Sequence, residues 1–268
     1  MIRPHFEPQP DNTFRIEHAP EYRAFSVVLR KIEVGELAPA DAETRLKEIL
    51  RKYPWHFEAA IRLAELYTAT GAFQKACDTR FAACQRLMEL LPEEDDADPI
   101  PLDFEKKENQ CLLFLLQGSA IDHFLICEFE LAAALLETLL DLDEEDHLNA
   151  SQTLAYCYVA LGERDSFEAI LPDLDDKNPE KALAERWAQR QFDGKIASAS
   201  LAEFQRKHPA VYREFTADEH PVTEAYLADI DGERPSSESR ARLLWLKTEH
   251  LWQQFPEFIV ALKNTAKS

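Results

Sequence analysis

The residue types that most often carry chemistry, histidine and cysteine, are scattered along this 268-residue chain. No two of the eight histidines lie four residues apart, the spacing that places two imidazoles on one helix face for zinc. The five cysteines form no CxxC pair, and their odd number argues against a disulfide framework. We therefore expect no metal, no cofactor and no catalytic residue, and thiols that stay reduced in the cytoplasm.

One acidic segment has the alternating spacing of a calcium-binding loop, at Asp141, Asp143 and Glu145. The sixth position of such a loop must be glycine, but here it is Asp146. The twelfth must be a bidentate glutamate, but here it is Gln152. The segment therefore indicates an acidic turn between helices, and we expect Asp146 to cap the helix that follows.

The catalytic motifs that depend on glycine are excluded, because no two of the six glycines lie within thirty residues of each other. This removes the dinucleotide fingerprint, the phosphate-binding loop and the nucleophile elbow. An enzyme or a small-ligand protein on a helical scaffold stays open as an alternative. A deep pocket with converging polar groups would favour it.

The scarcity of glycine beside abundant alanine, leucine and glutamate predicts an all-α chain. From Glu21 onward, apolar residues follow the helical period. One helix is predicted before Gly35, and a second begins at Pro39 and ends before Pro54. Further helices are predicted at roughly 55–70, 72–91, 106–127, 129–142, 147–161, 164–172, 179–192 and 198–207.

Proline residues and a helix cap mark the boundaries between the segments of the chain. Proline-containing stretches without periodicity flank the helices, and Ser236 or Ser237 caps a last apolar run that includes Trp245 and Trp252. The expected organisation is an irregular N-terminal arm (1–20), helical repeats (21–207) with an acidic insertion (92–105), an irregular connector (208–235) and a long C-terminal capping helix (236–268).

A repeat of 34 residues separates Ala42 from Ala76, each of which opens the second helix of a pair. The residues Ala60, Leu63, Ala64, Tyr67, Gly71, Phe73, Ala76 and Ala83 resemble a tetratricopeptide repeat. The resemblance implies a right-handed superhelix of stacked helical hairpins, an α-α solenoid. Phe167 stands where the repeat has a small residue, and Glu144 stands where it has proline.

The resemblance also implies a protein-interaction scaffold with a concave groove, lined by the first helix of each pair. Carried over position by position, the lining is Val27, Lys31, Ile61, Glu65, Phe114, Gln117, Ile121, Phe124, Gln152, Tyr156 and Val159. Family members that clamp a peptide carboxylate use several cations, whereas here only Lys31 is one. We therefore expect the groove to take an apolar or helical peptide, or to be filled by this chain's own Trp245 and Trp252.

The charge distribution narrows the class of partner. The net charge of −20 argues against nucleic acid and against an anionic membrane surface. No lysine or arginine lies between Lys107 and Arg164, a stretch with eleven acidic residues. This stretch is either a solvated face or a docking surface for a basic partner. Self-association into a homodimer through apolar faces is the remaining alternative.

Overall fold

The computed structural model describes residues 3–11, 13–18, 20–91 and 101–265. Within these ranges the chain forms fourteen α-helices, two 3-10 helices and one two-stranded hairpin. The prediction of an all-α chain is confirmed, since helices account for 71% of it. No helix in the described part is long and apolar enough to cross a bilayer.

The chain divides into two compact units. The N-terminal unit comprises Met1–Phe124 and Glu130–Ala150, and the C-terminal unit comprises Leu125–Phe129 and Ser151–Ser268. The first elements are β1 (His5–Pro8), β2 (Phe14–Glu17), a 3-10 helix (Pro20–Phe25), α1 (Ser26–Glu33), α2 (Pro39–Lys52), α3 (Phe57–Ala69), α4 (Phe73–Met88), α5 (Lys107–Leu125) and α6 (Phe129–Leu142). The remaining elements are α7 (Ala150–Leu161), α8 (Arg164–Ile170), a 3-10 helix (Leu171–Asp173), α9 (Pro179–Asp193), α10 (Ser198–Lys207), α11 (Pro209–Thr216), α12 (Glu224–Ile230), α13 (Ser237–Gln254) and α14 (Pro256–Thr265).

The segment 1–20, expected to be irregular, contains the antiparallel hairpin of β1 and β2. A buried amide attaches β2 to α5. The Asn109 Oδ1 accepts a hydrogen bond from the Ile16 N–H at 3.0 Å, and its Nδ2 donates to the Phe14 carbonyl at 2.8 Å. Sequence periodicity does not show this hairpin, because its two strands have four residues each and depend on a side chain 93 positions away.

Small residues let the helices of the N-terminal unit pack closely. Helix α3 packs against α1, α2 and α4. Ala59, Ala64 and Ala76 are buried in the core cluster that these helices share with Leu46 and Leu63. Ala64 and Ala76 are positions of the repeat pattern, and their small side chains leave room for the larger residues packed around them.

A partly buried ion pair joins α4 to α5. The Arg80 guanidinium donates to both carboxylate oxygens of Asp122, at 2.5 and 2.7 Å. Gly118 lies beside it, and a Cβ at that position would lie 3.1 Å from the Arg80 Cδ. The glycine therefore makes room for the arginine stem.

Only part of the acidic insertion at 92–105 can be placed, since residues 92–100 lie outside the described residues. The part that follows pairs with its neighbours through the backbone. The Phe14 N–H donates to the Pro101 carbonyl at 2.7 Å, and the Leu102 N–H donates to the Leu142 carbonyl at 2.7 Å.

In the C-terminal unit, α11 packs against α13 and α14, and α9 packs against α14. The segment 208–235, expected to be irregular, contains α11 and α12. Pro209 is the first residue of α11, where the missing N–H costs nothing, and the Thr223 hydroxyl caps α12. The C-terminal segment is two helices rather than one, because Pro256 starts a new helix.

Candidate functional site

The N-terminal unit contains a cleft of about 760 Å³. Its walls are β2, the 3-10 helix after it, and one face each of α1, α3 and α5. On α3 the lining residues are Glu58, Ile61, Arg62 and Glu65. Because positions three, four and seven apart lie on one helix face, this is one continuous stripe.

Three aromatic rings stack in this cleft. The Tyr22 ring stacks with two imidazoles, at centroid distances of 5.5 Å to His18 and 4.7 Å to His56. The Tyr22 and His56 rings are almost parallel, at 9°. We call His18, Tyr22 and His56 the cleft stack. Tyr53 packs edge-on against Tyr22 and holds the stack from the side.

Burial keeps the cleft stack uncharged at neutral pH. It is the main cause that lowers the pKa of His56 to about 4, and His18 adds to the effect. Burial also lowers the pKa of His18, against the opposing charges of Glu108 and Glu17. The pKa of the Tyr22 hydroxyl is raised to about 12, again mainly by burial. All three rings therefore keep their neutral forms.

Polar atoms of the cleft stack lack partners. The His56 Nδ1 accepts from the Ala59 N–H at 3.4 Å and caps α3, so a neutral ring carries its proton on Nε2. The Tyr22 hydroxyl and the His18 Nδ1 form no hydrogen bond with any described residue. The Nε2 of His56 forms none of normal geometry, although the backbone of Tyr22 lies close enough to act against the lowering of the His56 pKa. A buried polar group without a partner costs about 1–3 kcal/mol, which a bound molecule could offset.

The rim of the cleft carries both signs of charge. Arg62 donates to Glu33 at 2.7 Å and to Glu65 at 2.9 Å, so these three groups neutralise one another in part. Two further carboxylates on the rim, Glu58 and Glu108, form no ion pair with a described residue. Burial is the main cause that raises the pKa of Glu58, while Arg62 and Lys107 oppose it and the carboxylates of Glu33 and Glu108 add to it.

The thiol in the cleft is not activated. Burial raises the pKa of Cys111 well above its ordinary value, and the carboxylates of Glu58, Glu65 and Glu108 raise it further. A nucleophilic cysteine needs a lowered pKa. Among the described lining residues, moreover, no hydroxyl, thiol and imidazole are hydrogen-bonded to one another. Cys111 therefore lacks the lowered pKa of a nucleophilic thiol.

Three of the residues predicted from the repeat pattern, Ile61, Glu65 and Phe114, line this cleft. Val27, which is 65% exposed, and Lys31, also exposed, lie outside its lining. The remaining predicted residues of the N-terminal unit are placed along α5. Gln117 donates to the Leu148 carbonyl at 2.7 Å, Ile121 is half-buried and Phe124 is buried.

The three predicted residues on α7 belong to the C-terminal unit, and all are buried. The Gln152 Oε1 accepts from Asn178 at 3.0 Å, and Tyr156 packs against Trp187. Val159 has no exposed surface. Trp187 also contacts Trp252, so in this unit these side chains form a core rather than an open surface.

Sequence reasoning missed the cleft stack entirely. His18 and Tyr22 fall on either side of the boundary drawn for the N-terminal arm, and His56 precedes a predicted helix. No fixed spacing connects them, so only the folded chain brings them together. The presence of three ring-bearing polar residues near helix starts was the one available signal.

No family model, no curated protein and no solved structure matches this chain. The fold and the cleft define an all-α protein with a mixed-charge cleft over buried, neutral aromatic groups. Its function must therefore be argued from its own residues.

Proposed function

We propose that this chain is a helical-repeat scaffold of the tetratricopeptide type that binds a peptide segment of another protein in the cleft of its N-terminal unit. The observation that carries the proposal is the position of Ile61, Glu65 and Phe114. The repeat resemblance assigns these three residues to a binding groove, and they line the cleft.

The packing of the N-terminal helices is consistent with this proposal. Helix α3 contacts both α2 and α4, and the small repeat residues Ala64 and Ala76 are buried in the core that they share. A peptide backbone offers carbonyl and N–H groups, which match the unpartnered polar atoms of the cleft stack. An apolar side chain of the peptide could pack on Phe114, which is 48% exposed.

The charge and the thiols support a protein partner in the cytoplasm. A net charge of −20 disfavours nucleic acid and anionic membranes but suits a basic protein. All five cysteines are free thiols, which fits a reducing compartment. A second copy of this chain as the partner would show itself as a mass that rises with concentration in sedimentation equilibrium.

One observation favours a second candidate, a small-ligand-binding protein. Polar atoms of His18, Tyr22 and His56 converge in a single cleft, as expected of a ligand site. The mixed rim, with charges of both signs, favours a peptide more than a small ligand of one charge. A metabolite screen by thermal shift would test this candidate.

A displayed library of random peptides tests the main proposal. The library is selected on the immobilised full chain, and enriched peptides are then measured against two variants. Ser26→Trp places a large ring at the mouth of the cleft, and Ser198→Trp makes the same change at the first residue of α10. We expect Ser26→Trp to weaken binding about tenfold or more, and Ser198→Trp to leave it unchanged. If no peptide were enriched above the blank surface, the proposal would be overturned.

A further inference from the structure

We infer that the cleft receives a basic side chain, lysine or arginine, of the bound peptide between the carboxylates of Glu58 and Glu108. The inference rests on the proposed function and specifies the chemistry of the partner at the same site. It follows from which charges in the cleft already have partners and which do not.

Most rim charges are satisfied within the chain. Arg15 pairs with Glu7 and Glu17, and Arg62 pairs with Glu33 and Glu65. Each arginine faces two carboxylates, so each of these two sets keeps a net negative charge.

The exceptions on the acidic side are Glu58 on α3 and Glu108 on α5. Neither forms an ion pair with a described residue, although Lys107 and Arg23 also line the cleft. A cation from outside can therefore pair with both carboxylates without breaking an existing ion pair.

The pKa shifts of other groups in the cleft agree with a negative electrostatic potential there. Glu108 and Glu17 act to raise the pKa of His18 against its burial. At Cys111, three carboxylates raise the pKa of the thiol, and one guanidinium, that of Arg62, lowers it. A positive group placed there would be stabilised by the same charges.

A second feature separates this cleft from an ordinary acidic surface. His56 and Tyr22 are both more than nine-tenths buried, at 4% and 7% exposure, and the His56 Nε2 and the Tyr22 hydroxyl have no partner of normal geometry among the described residues. Both atoms are enclosed by the cleft lining, so they donate to peptide carbonyls only after the side chains around them move. The half-exposed Phe114 ring offers a surface for the aliphatic stem of lysine or arginine.

Blocked pentapeptides test the inference directly. The probes are Ac-Ala-Ala-X-Ala-Ala-NH2 with X as arginine, lysine, glutamine or glutamate, titrated into the full chain and followed by the NMR signals of Ile61. We expect the arginine and lysine peptides to bind about tenfold tighter than the glutamine peptide. We expect Glu58→Gln and Glu108→Gln each to weaken the arginine peptide about fivefold.

The matched control is Glu36→Gln, which removes the same charge from an exposed residue of this unit outside the cleft. It should leave affinity unchanged, and circular dichroism confirms that each variant is folded. Equal affinity for arginine and glutamine peptides, or tighter binding of the glutamate peptide, would overturn the inference. Equal weakening by all three variants would also overturn it. In each of these cases, peptides that enrich from the library and respond to Ser26→Trp would leave the proposed function standing.

Discussion

Two histidines, one in each unit, stack on an aromatic ring but differ in what binds their nitrogens. In the C-terminal unit, the ring centroids of His220 and Trp245 are 3.7 Å apart. The Nδ1 of His220 is 2.7 Å from a carboxylate oxygen of Glu214. The same carboxylate accepts two hydrogen bonds from Arg242. We call these groups the Glu214 network.

In the N-terminal unit, His56 stacks on Tyr22 with the same near-parallel geometry. Its Nε2, however, has no partner of normal geometry among the described residues. The difference separates two uses of a buried imidazole. A ring whose hydrogen bonds are completed by the chain stabilises the fold, whereas a ring left incomplete marks a place that another molecule can complete.

The largest expected effect comes from removing the centre of the Glu214 network. Glu214→Ala leaves Arg242 and His220 without their shared acceptor in a poorly hydrated site. We expect the free energy of unfolding to fall by about 3 kcal/mol, measured by urea denaturation. The control is Glu219→Ala, an exposed carboxylate nearby, which should change stability by less than about 0.5 kcal/mol. Equal losses in the two variants would remove the structural role assigned to the network.

A smaller effect should appear in the pH dependence of stability, through His56. The pKa of His56 in the folded chain is about 4, below the ordinary 6.5. Between pH 4 and 6.5, therefore, the His56 ring binds a proton in the unfolded chain but not in the folded chain. Stability contributed by the neutral ring is therefore present above pH 6.5 and is lost as pH falls toward 4. Relative to His56→Phe, wild type should lose at most about 3 kcal/mol over this range.

His147 supplies a control of opposite sign. The hydrogen bond to Asp143 is the largest cause that raises the pKa of His147. The stabilisation from protonated His147 is therefore present at low pH, and it is lost as pH rises through the pKa of His147 in the folded chain. His147→Gln should lose stability mainly at low pH. If His56→Phe and wild type instead gave parallel curves, the imidazole of His56 would not be held neutral by burial.

The helices were predictable because their signal is local. The segment predicted at 106–127 is α5 (Lys107–Leu125), and the segment predicted at 129–142 is α6 (Phe129–Leu142). Each depends on apolar residues three and four positions apart, which the sequence displays directly.

The site was only partly predictable, because it depends on contacts between distant residues. Ile61 and Phe114 were found through the repeat pattern, but the cleft stack requires β2 to be attached to α5 by Asn109. Conversely, Tyr156 was assigned to a groove, yet it is buried against α9. An apolar helix face looks the same in the sequence whether it meets solvent, a ligand or another helix.

The smallest and sharpest test compares His220→Phe with His56→Phe at neutral pH. Both changes keep an aromatic ring in the stack and remove only the ring nitrogens. His220→Phe breaks a hydrogen bond to a buried carboxylate and should cost about 1–2 kcal/mol. His56→Phe loses only a long cap bond and also removes an unpartnered N–H, so we expect a change within about 0.5 kcal/mol. If His56→Phe cost as much as His220→Phe, the His56 Nε2 would already have a partner inside the chain, and the cleft would lose one of its two buried binding groups.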